Sequence, residues 1–266
     1  MSEPALLQVR DLSLDFPSAQ GHFAALSGLS LEVSAGECLG LVGESGSGKS
    51  ALLLAILGLL PRNARLRGSI RYRGAELLGL PAAALNQIRG ARIAMVFQEP
   101  MSALNPYMRV IDQLSEVPRV HAGMSRHAAE QRALEMIEAV HIGDPERRAR
   151  QYPHALSGGM RQRVMIAMAL IGEPEIVLAD EPTTALDVTV QAQILALLQE
   201  MRARTGAALV LVTHDLGVVA QLADRVGVMR GGRLVELAEC EQLFSQPQHP
   251  YSQALLRLVP RLQSAP

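Results

Sequence analysis

The chain has 266 residues, a formal net charge of −1 at pH 7 and a sequence pI of about 6.7. This near-neutral balance argues against a protein whose main partner is the phosphate backbone of nucleic acid. The two cysteines, Cys38 and Cys240, lie far apart and in no C-x-x-C pattern, so the sequence favours a reducing compartment over a disulfide framework or a zinc site.

The N-terminus and the apolar runs predict no membrane insertion. Residues 1–10 lack a basic region followed by an apolar core, so we expect no signal peptide. The longest uninterrupted apolar or glycine run, residues 51–60, is about half of the ~20 residues that a membrane helix needs. We therefore expect a chain that does not cross a bilayer by itself and that buries a substantial core.

Two short stretches near the N-terminus alternate apolar and polar residues and predict β-strands. Residues 6–16 alternate from Val9 onwards, and residues 29–33 do the same. We expect them to form a small antiparallel sheet beside a main sheet. Phe16 ends the first strand, and its flat ring is a candidate for stacking on a nucleobase. Core packing is the alternative for Phe16, and Phe23 is the second candidate for stacking.

A glycine-rich loop lies between an apolar stretch at 38–42 and a helix-forming stretch at 51–60. It matches the pattern G-x-x-x-x-G-K-[ST] in the strand–loop–helix context that this pattern requires, although a Gly/Ser turn ending in Lys-Ser is the alternative. The backbone N–H groups are expected to converge on a phosphate chain, which side chains at Gly46 or Gly48 would block. Lys49 is expected to reach the outer phosphates, and the Ser50 hydroxyl to ligate Mg²⁺. The predicted nucleotide-binding residues are Gly43, Glu44, Ser45, Gly46, Ser47, Gly48, Lys49 and Ser50.

A further strand is predicted at 92–98, after a basic turn at 61–68 and a short strand at 68–74. Gln98 ends this strand before Glu99-Pro100 and is either a polar loop residue or a neutral ligand for Mg²⁺ or for the attacking water. Residues 101–152 then show helical spacing and predict a separate helical lobe. Its clearest apolar face comprises Ala129, Ala133, Met136, Ile137 and Val140.

Ser157 looks like the N-cap of a helix at 160–171, with Gly158 and Gly159 directly behind it. A strand at 176–179, apolar throughout, then delivers Asp180 and Glu181 at its C-terminal end, where ligands bind in α/β sheets. We expect Asp180 to hold Mg²⁺ and Glu181 to orient or deprotonate the nucleophilic water. A solvated pair of carboxylates is the alternative.

The remaining elements are a core helix at 190–201, a buried strand at 208–212 and a closing hairpin around Gly231-Gly232. His214 follows the buried strand and is placed to contact a terminal phosphate. The tail from Glu241 is predicted to be helical and polar, with interruptions at Pro247 and Pro250.

In this order, the motifs resemble those of the ATP-binding subunits of ABC transporters over essentially the whole chain. The resemblance implies an α/β fold in which a RecA-like P-loop NTPase core carries an antiparallel β subdomain and an inserted helical subdomain. It also implies one ABC ATP-binding domain over 1–266. Residues 1–98 and 169–240 would form the core with the antiparallel subdomain, 99–168 the helical subdomain with the signature, and 241–266 a C-terminal tail.

The resemblance also assigns roles to single residues. Leu156-Ser157-Gly158-Gly159 matches the family signature, in which Ser157, Gly158 and Gly159 face the γ-phosphate bound by the opposite subunit. Gln98 matches the position that links the nucleotide to the membrane partner, and His214 matches the switch histidine. Asp187, in Ala185-Leu186-Asp187, matches the loop that crosses to the other subunit. The fifth signature residue is Met160 instead of the usual Gln, a departure that is similar to the peptide and nickel importers.

Two further stretches, 98–106 and 246–251, resemble the subgroup that imports oligopeptides, dipeptides or nickel. The chain lacks the longer, cysteine-bearing C-terminal extension of many peptide-type members, and its short length is similar to nickel or metallophore importers. The implied cofactors are ATP and Mg²⁺. The implied partners are two transmembrane permeases, a second ATP-binding subunit that is a different chain, and indirectly an extracytoplasmic solute-binding protein. The implied location is the cytoplasmic face of the inner membrane, as a peripheral subunit, with no role for nucleic acid.

The rival hypothesis is a soluble ABC-type ATPase that acts on DNA or ribosomes. Chromosome-maintenance members need a long coiled coil between the phosphate loop and the signature, and the stretch from Lys49 to Ser157 is too short for one. Translation-factor members usually carry two cassettes in one chain. A scaffold that binds nucleotide without turnover is a third possibility, which Glu181 and His214 argue against. The sequence therefore predicts an ATP hydrolase coupled to solute transport.

Overall fold

The computed structural model describes residues 5–18, 21–184 and 186–257. The chain divides into two compact units, Met1–Gly79 with Val210–Pro266, and Leu80–Leu209. Within the described ranges, every helix falls short of the length and apolar character that would let it span a bilayer. Ala185, in the predicted crossing loop, and residues 258–266 of the predicted tail lie outside the described residues.

The described residues form ten strands and eleven α-helices. The strands are β1 Leu7–Ser18, β2 Gly21–Val33, β3 Cys38–Val42, β4 Arg65–Tyr72, β5 Ala75–Glu76, β6 Ile93–Val96, β7 Ile176–Asp180, β8 Ala208–Val212, β9 Arg225–Arg230 and β10 Arg233–Glu239. The helices are α1 Lys49–Ile56, α2 Ala82–Asn86, α3 Pro100–Ala103, α4 Val110–His121, α5 Arg126–Ala139, α6 Pro145–Ala149, α7 Gly158–Leu170, α8 Val188–Thr205, α9 Leu216–Leu222, α10 Cys240–Ser245 and α11 Pro250–Arg257.

The first unit contains an antiparallel sheet with the strand order β2-β1-β4-β5. This confirms the predicted antiparallel sheet, and its buried face includes Val9 and Leu14 of β1. The predicted basic turn at 61–68 is wrong in its second half, because β4 already begins at Arg65. There β4 pairs with β1, and the Arg67 guanidinium lies 2.8 Å from the Asp15 carboxylate. Because β4 pairs with β1, which is distant in sequence, the strand includes the polar residues that precede its apolar ones.

The first unit also contains a sheet in which β3 pairs in parallel with β9, and β9 pairs antiparallel with β10. On the other side of β3, the Thr213 N–H donates to the Leu41 carbonyl at 3.2 Å, which places the end of β8 next to β3. The predicted closing hairpin is confirmed by β9 and β10. Because β3 and β8 end side by side, the segments that follow them emerge at the same edge of this sheet.

In the second unit, β6 pairs in parallel with β7, so that Val96 lies opposite Ala179. The start of β8 lies beside the start of β7, since the Ala208 N–H donates to the carbonyl of Glu175, the residue before β7, at 2.8 Å. The predicted helices between 101 and 152 are present as α3 to α6. The apolar faces predicted for α5 and α8 are confirmed as buried: Ala129, Ala133, Met136, Ile137 and Val140, and Ile194, Leu197, Leu198 and Met201.

Side-chain caps determine where two of these helices begin. The Ser157 side chain accepts a hydrogen bond from the Met160 N–H at 3.3 Å, which confirms the predicted N-cap of α7. Asp187 caps α8 in the same way, from the Val190 N–H at 2.9 Å. A helix leaves its first N–H groups without intrahelical partners, and an oxygen at the N-cap supplies one.

Candidate functional site

The predicted site residues fall into two sets, one in each unit. The first set follows β3 and β8 and comprises the phosphate loop and His214. The second set follows β6 and β7 or lies at the start of α7 and α8. Each set is held by contacts within its own unit.

The conformation of the phosphate loop requires glycine at both ends. A Cβ at Gly43 would lie 2.1 Å from the Met229 carbonyl oxygen, and a Cβ at Gly48 would lie 2.5 Å from the Ala25 carbonyl oxygen. Gly46 has open space around it, but its φ of +78° is one that side chains disfavour.

Lys49 closes the loop from inside. Its buried Nζ donates to the Gly43 carbonyl at 2.8 Å, to the Glu44 carbonyl at 2.9 Å and to the Ser47 Oγ at 3.2 Å. Lys49 also begins α1, so the ammonium group and the positive end of the helix dipole lie together. Ser50 is exposed in the first turn of this helix. A glycine loop with a cation at a helix N-terminus fits the phosphates of a nucleotide.

The same loop is supported from outside by two distant segments. The Gly232 N–H, in the turn between β9 and β10, donates to the Ser47 carbonyl at 3.1 Å. The Glu44 N–H donates to the hydroxyl of Tyr251, in α11, at 3.3 Å. Glu44, Ser45 and Gly46 are exposed between these two points.

His214 lies at the sheet edge where the phosphate loop begins. It follows β8, whose end is hydrogen-bonded to β3 through Thr213, and its side chain is exposed. Asp215 starts α9 by accepting hydrogen bonds from the Gly217 N–H at 2.8 Å and the Val218 N–H at 3.3 Å. The fold therefore places His214 on the same edge as the loop within the first unit.

Phe16 and Phe23 lie directly opposite each other in the pairing of β1 with β2. Phe16 is half-buried, and Phe23 is 58% exposed. Opposed residues of antiparallel strands project on the same face, so the two candidates for base stacking belong to one surface. The choice between them stays a prediction.

Glu181 is held by two donors in the second unit. The Thr184 Oγ1 donates to the Glu181 Oε2 at 2.7 Å, and the Gln98 Nε2 donates to the same oxygen at 3.2 Å. The φ of Glu181 is +45°, a left-handed angle that is uncommon for a residue with a side chain. Backbone in such sparsely populated regions concentrates at functional sites.

The oxygen donors predicted for Mg²⁺ fit that ion in their chemistry. Magnesium is usually held by one or two carboxylates, neutral oxygens and substrate phosphates. Asp180 is a carboxylate that is 6% exposed at the end of β7, Ser50 offers a hydroxyl, and Gln98 offers an amide oxygen.

The signature residues begin α7. Gly158 has open space where a Cβ would lie, whereas a Cβ at Gly159 would lie 2.9 Å from the Cγ1 of Val190 in α8. Asp187 uses its carboxylate to cap α8, which is its structural role.

The structure adds three residues that the sequence analysis did not identify: Thr184, Gln162 and Tyr251. Gln162 is buried in α7, and its Nε2 donates to the Pro182 carbonyl in the turn after Glu181. Gln162 lies in the predicted helix 160–171, and Thr184 lies between Glu181 and the predicted crossing loop, so their proximity to these motifs was an available signal. Tyr251 lies in the stretch 246–251 that was singled out, but its contact with Glu44, 207 positions away, left no signal in the sequence.

Comparisons with known proteins show which family this chain resembles. The family model described as "ABC transporter" matches residues 26–184, and the one described as "Oligopeptide/dipeptide transporter, C-terminal region" matches residues 235–265. The chain is 51% identical over 259 residues to the oligopeptide transport ATP-binding protein OppD of Salmonella typhimurium (strain LT2), which covers 97% of this chain and 77% of that protein. It is 50% identical to the dipeptide transport ATP-binding protein DppD of Bacillus subtilis, with the same coverage.

The fold is also similar to solved structures. A dimeric, post-hydrolysis state of the ATP-binding cassette MJ0796 bound to ADP and Pi has a TM-score of 0.79 and 29% sequence identity. The similarity covers 88% of this chain and 98% of that one.

Proposed function

The chain belongs to the ABC transporter family of ATP-binding subunits, and from this premise we propose that it hydrolyses ATP to drive the import of oligopeptides or dipeptides. The observation that carries the proposal is the phosphate loop, in which the buried Lys49 ammonium is surrounded by loop oxygens at a helix N-terminus. The relatives are named as peptide transport proteins, so peptides are favoured over nickel as the solute. The same names favour solute transport over an ATPase that acts on DNA or ribosomes.

In this proposal, the backbone N–H groups of the loop and the Lys49 ammonium bind the phosphates of ATP. Ser50, Asp180 and Gln98 would hold Mg²⁺, which would neutralise charge on the outer phosphates. Phe16 or Phe23 stacks on the adenine ring.

Hydrolysis then depends on groups that act on the water and on the terminal phosphate. Glu181 orients or deprotonates the attacking water, and the hydrogen bonds from Thr184 and Gln98 fix its carboxylate for that task. His214 donates to the terminal phosphate. Phosphoryl transfer needs little covalent chemistry from the protein, so positioning and charge supply most of the catalysis.

A second ATP-binding subunit completes the site. Ser157, Gly158 and Gly159 present the N-terminus of α7, which suits contact with the γ-phosphate bound by the other subunit. Asp187 lies in the loop that crosses between the subunits. We propose that the second subunit is a different chain and that two permeases receive the conformational change through the helical segment 99–168. An extracytoplasmic binding protein then delivers the solute, and the chain works at the cytoplasmic face of the inner membrane.

Two substitutions separate binding from turnover. In Glu181→Gln, ATP affinity is expected to stay within about twofold of wild type, while phosphate release in the assembled transporter falls by about 10²-fold or more, the usual contribution of a general base. In Lys49→Ala, ATP binding itself is expected to be lost. Near-normal hydrolysis by Glu181→Gln would remove Glu181 from its role. Failure of the assembled transporter to take up short peptides would remove the proposed solute.

A further inference from the structure

The C-terminal segment, residues 236–257, packs against the strand that leads into the phosphate loop. One buried apolar cluster contains Val42 at the end of β3, Val228 of β9, Leu243 of α10 and Tyr251 of α11. Phe244, in α10, is partly buried against the same cluster. The segment and the start of the phosphate loop therefore share one apolar core.

Tyr251 reaches from this cluster to the loop. The residue is 8% exposed, its hydroxyl accepts the Glu44 N–H at 3.3 Å, and the Arg230 guanidinium lies 4.8 Å from its ring centroid. Burial raises the pKa of Tyr251 above its usual value, so the phenol stays protonated at neutral pH. The hydroxyl therefore remains a neutral partner for the loop.

The segment around Tyr251 is held in place by the carboxylate of Glu236, in β10. Its two oxygens accept the Gln248 N–H at 2.7 Å and the His249 N–H at 2.9 Å. The His249 Nδ1 in turn accepts the Tyr251 N–H at 3.1 Å. These bonds fix the start of α11, and they fix the position of the Tyr251 ring before any nucleotide binds.

Glu44 is the residue through which the C-terminal segment contacts the phosphate loop. Its carbonyl accepts the Ser47 N–H at 3.1 Å and the Lys49 Nζ at 2.9 Å, while its N–H donates to Tyr251. The peptide groups on both sides of Glu44 thus connect the turn of the loop, the catalytic lysine and the C-terminal segment. A change in their orientation would move the loop amides and the Lys49 ammonium together.

We propose that Tyr251 is a positioning residue for the phosphate loop: its hydroxyl holds the Glu44 amide and sets the loop in the conformation that binds the phosphates of ATP. This rests on the proposed function, in which the loop binds ATP. Tyr251 does not touch the reacting atoms, and its effect reaches the nucleotide through the loop backbone.

The test is Tyr251→Phe in the full chain, measured by equilibrium binding of a fluorescent ATP analogue with Mg²⁺. This variant keeps the ring, its packing and its contact with Arg230, and removes only the hydroxyl. We expect the dissociation constant to rise about three- to tenfold, the range for one lost hydrogen bond. In the assembled transporter, KM for ATP should rise by a similar factor with kcat within about twofold, and hydrogen exchange at the Glu44 amide should become faster.

Two control variants separate the effect of losing the Tyr251 hydroxyl from the effect of looser packing in the C-terminal segment. Tyr107→Phe removes a hydroxyl from a side chain that is 89% exposed and should bind ATP like wild type. Phe244→Leu loosens the packing of the C-terminal segment and should lower thermal stability without the same loss of ATP affinity. The proposal is overturned if Tyr251→Phe binds ATP as tightly as wild type, or if Phe244→Leu weakens binding equally. If wild type itself binds no ATP, the proposed function fails first; if wild type binds and Lys49→Ala does not, that function stands whatever Tyr251 does.

Discussion

Replacing Thr184 with valine would remove a short hydrogen bond to the Glu181 carboxylate. The Thr184 hydroxyl lies 2.7 Å from the Glu181 Oε2, whereas the Gln98 amide nitrogen lies 3.2 Å from the same oxygen. Valine matches the shape of threonine but has no donor at that position. The longer bond from Gln98 would remain.

The size of the effect follows from the kind of hydrogen bond that is lost. Bonds to charged groups contribute about 1.5–3 kcal/mol, and the lower end applies here because Glu181 is only half-buried and Gln98 still donates. The loss of about 1.5 kcal/mol weakens the preference of the Glu181 carboxylate for one orientation. The fraction of molecules with the carboxylate oriented to act on water, and hence the turnover, then falls by about tenfold. ATP affinity should be unchanged, since in our proposal Glu181 acts on the water.

The assay is steady-state phosphate release by the assembled transporter, together with ATP binding by the full chain. Thr184→Ser is the matched control, because serine keeps a hydroxyl at the same position and should retain most of the turnover. The reasoning fails if Thr184→Val turns over ATP within about twofold of wild type. It also fails if Thr184→Ser loses as much turnover as Thr184→Val, since the hydroxyl would then not be the cause.

Two further predictions concern stability. A Cβ at Gly172 would lie 2.4 Å from the Gly90 carbonyl oxygen and 2.9 Å from a methyl group of Val117, so Gly172→Ala should destabilise the fold by about 1–3 kcal/mol. In Gly143→Ala, where nothing lies within 4 Å, the melting temperature should stay unchanged, and equal effects in both variants would contradict the packing argument. Burial alone would raise the pKa of Glu236, but hydrogen bonds, chiefly from backbone N–H groups, lower it below 4.5. Because the folded pKa is depressed, the ionised carboxylate stabilises the protein above its unfolded pKa, and this contribution disappears as the pH falls through the folded pKa. Chemical denaturation should therefore show Glu236→Gln less stable than wild type at pH 7 and the difference shrinking below pH 4.5; a constant difference would refute the assignment.

The fold class and most elements were predictable because their signals are local. The phosphate loop, the buried strand before Asp180 and the one-sided helix α8 are each specified by a few consecutive residues. The ABC ATPase fold inferred from these motifs is confirmed by the similarity to solved cassettes.

The predicted strand bounds were wrong where the residues of a strand are exposed and show no apolar pattern. The second strand was predicted at 29–33 but begins at Gly21, and residues 21–24 are exposed. These residues are extended because they pair with β1, with Phe23 opposite Phe16. Pairing with β1 extends these residues through backbone hydrogen bonds, which leave no alternation of apolar residues in the sequence.

By itself, the sequence determined the type of chemistry. The glycines, lysine and serine of the phosphate loop and the paired carboxylates are recognised by residue type and spacing within single motifs. Only the tertiary structure decided what holds those groups in place. The Gln98 amide and Glu181 are 83 positions apart, and Glu44 and the Tyr251 hydroxyl are 207 apart. A hydrogen bond depends on distance and direction in space, and those are set by strand pairing and core packing across the whole chain.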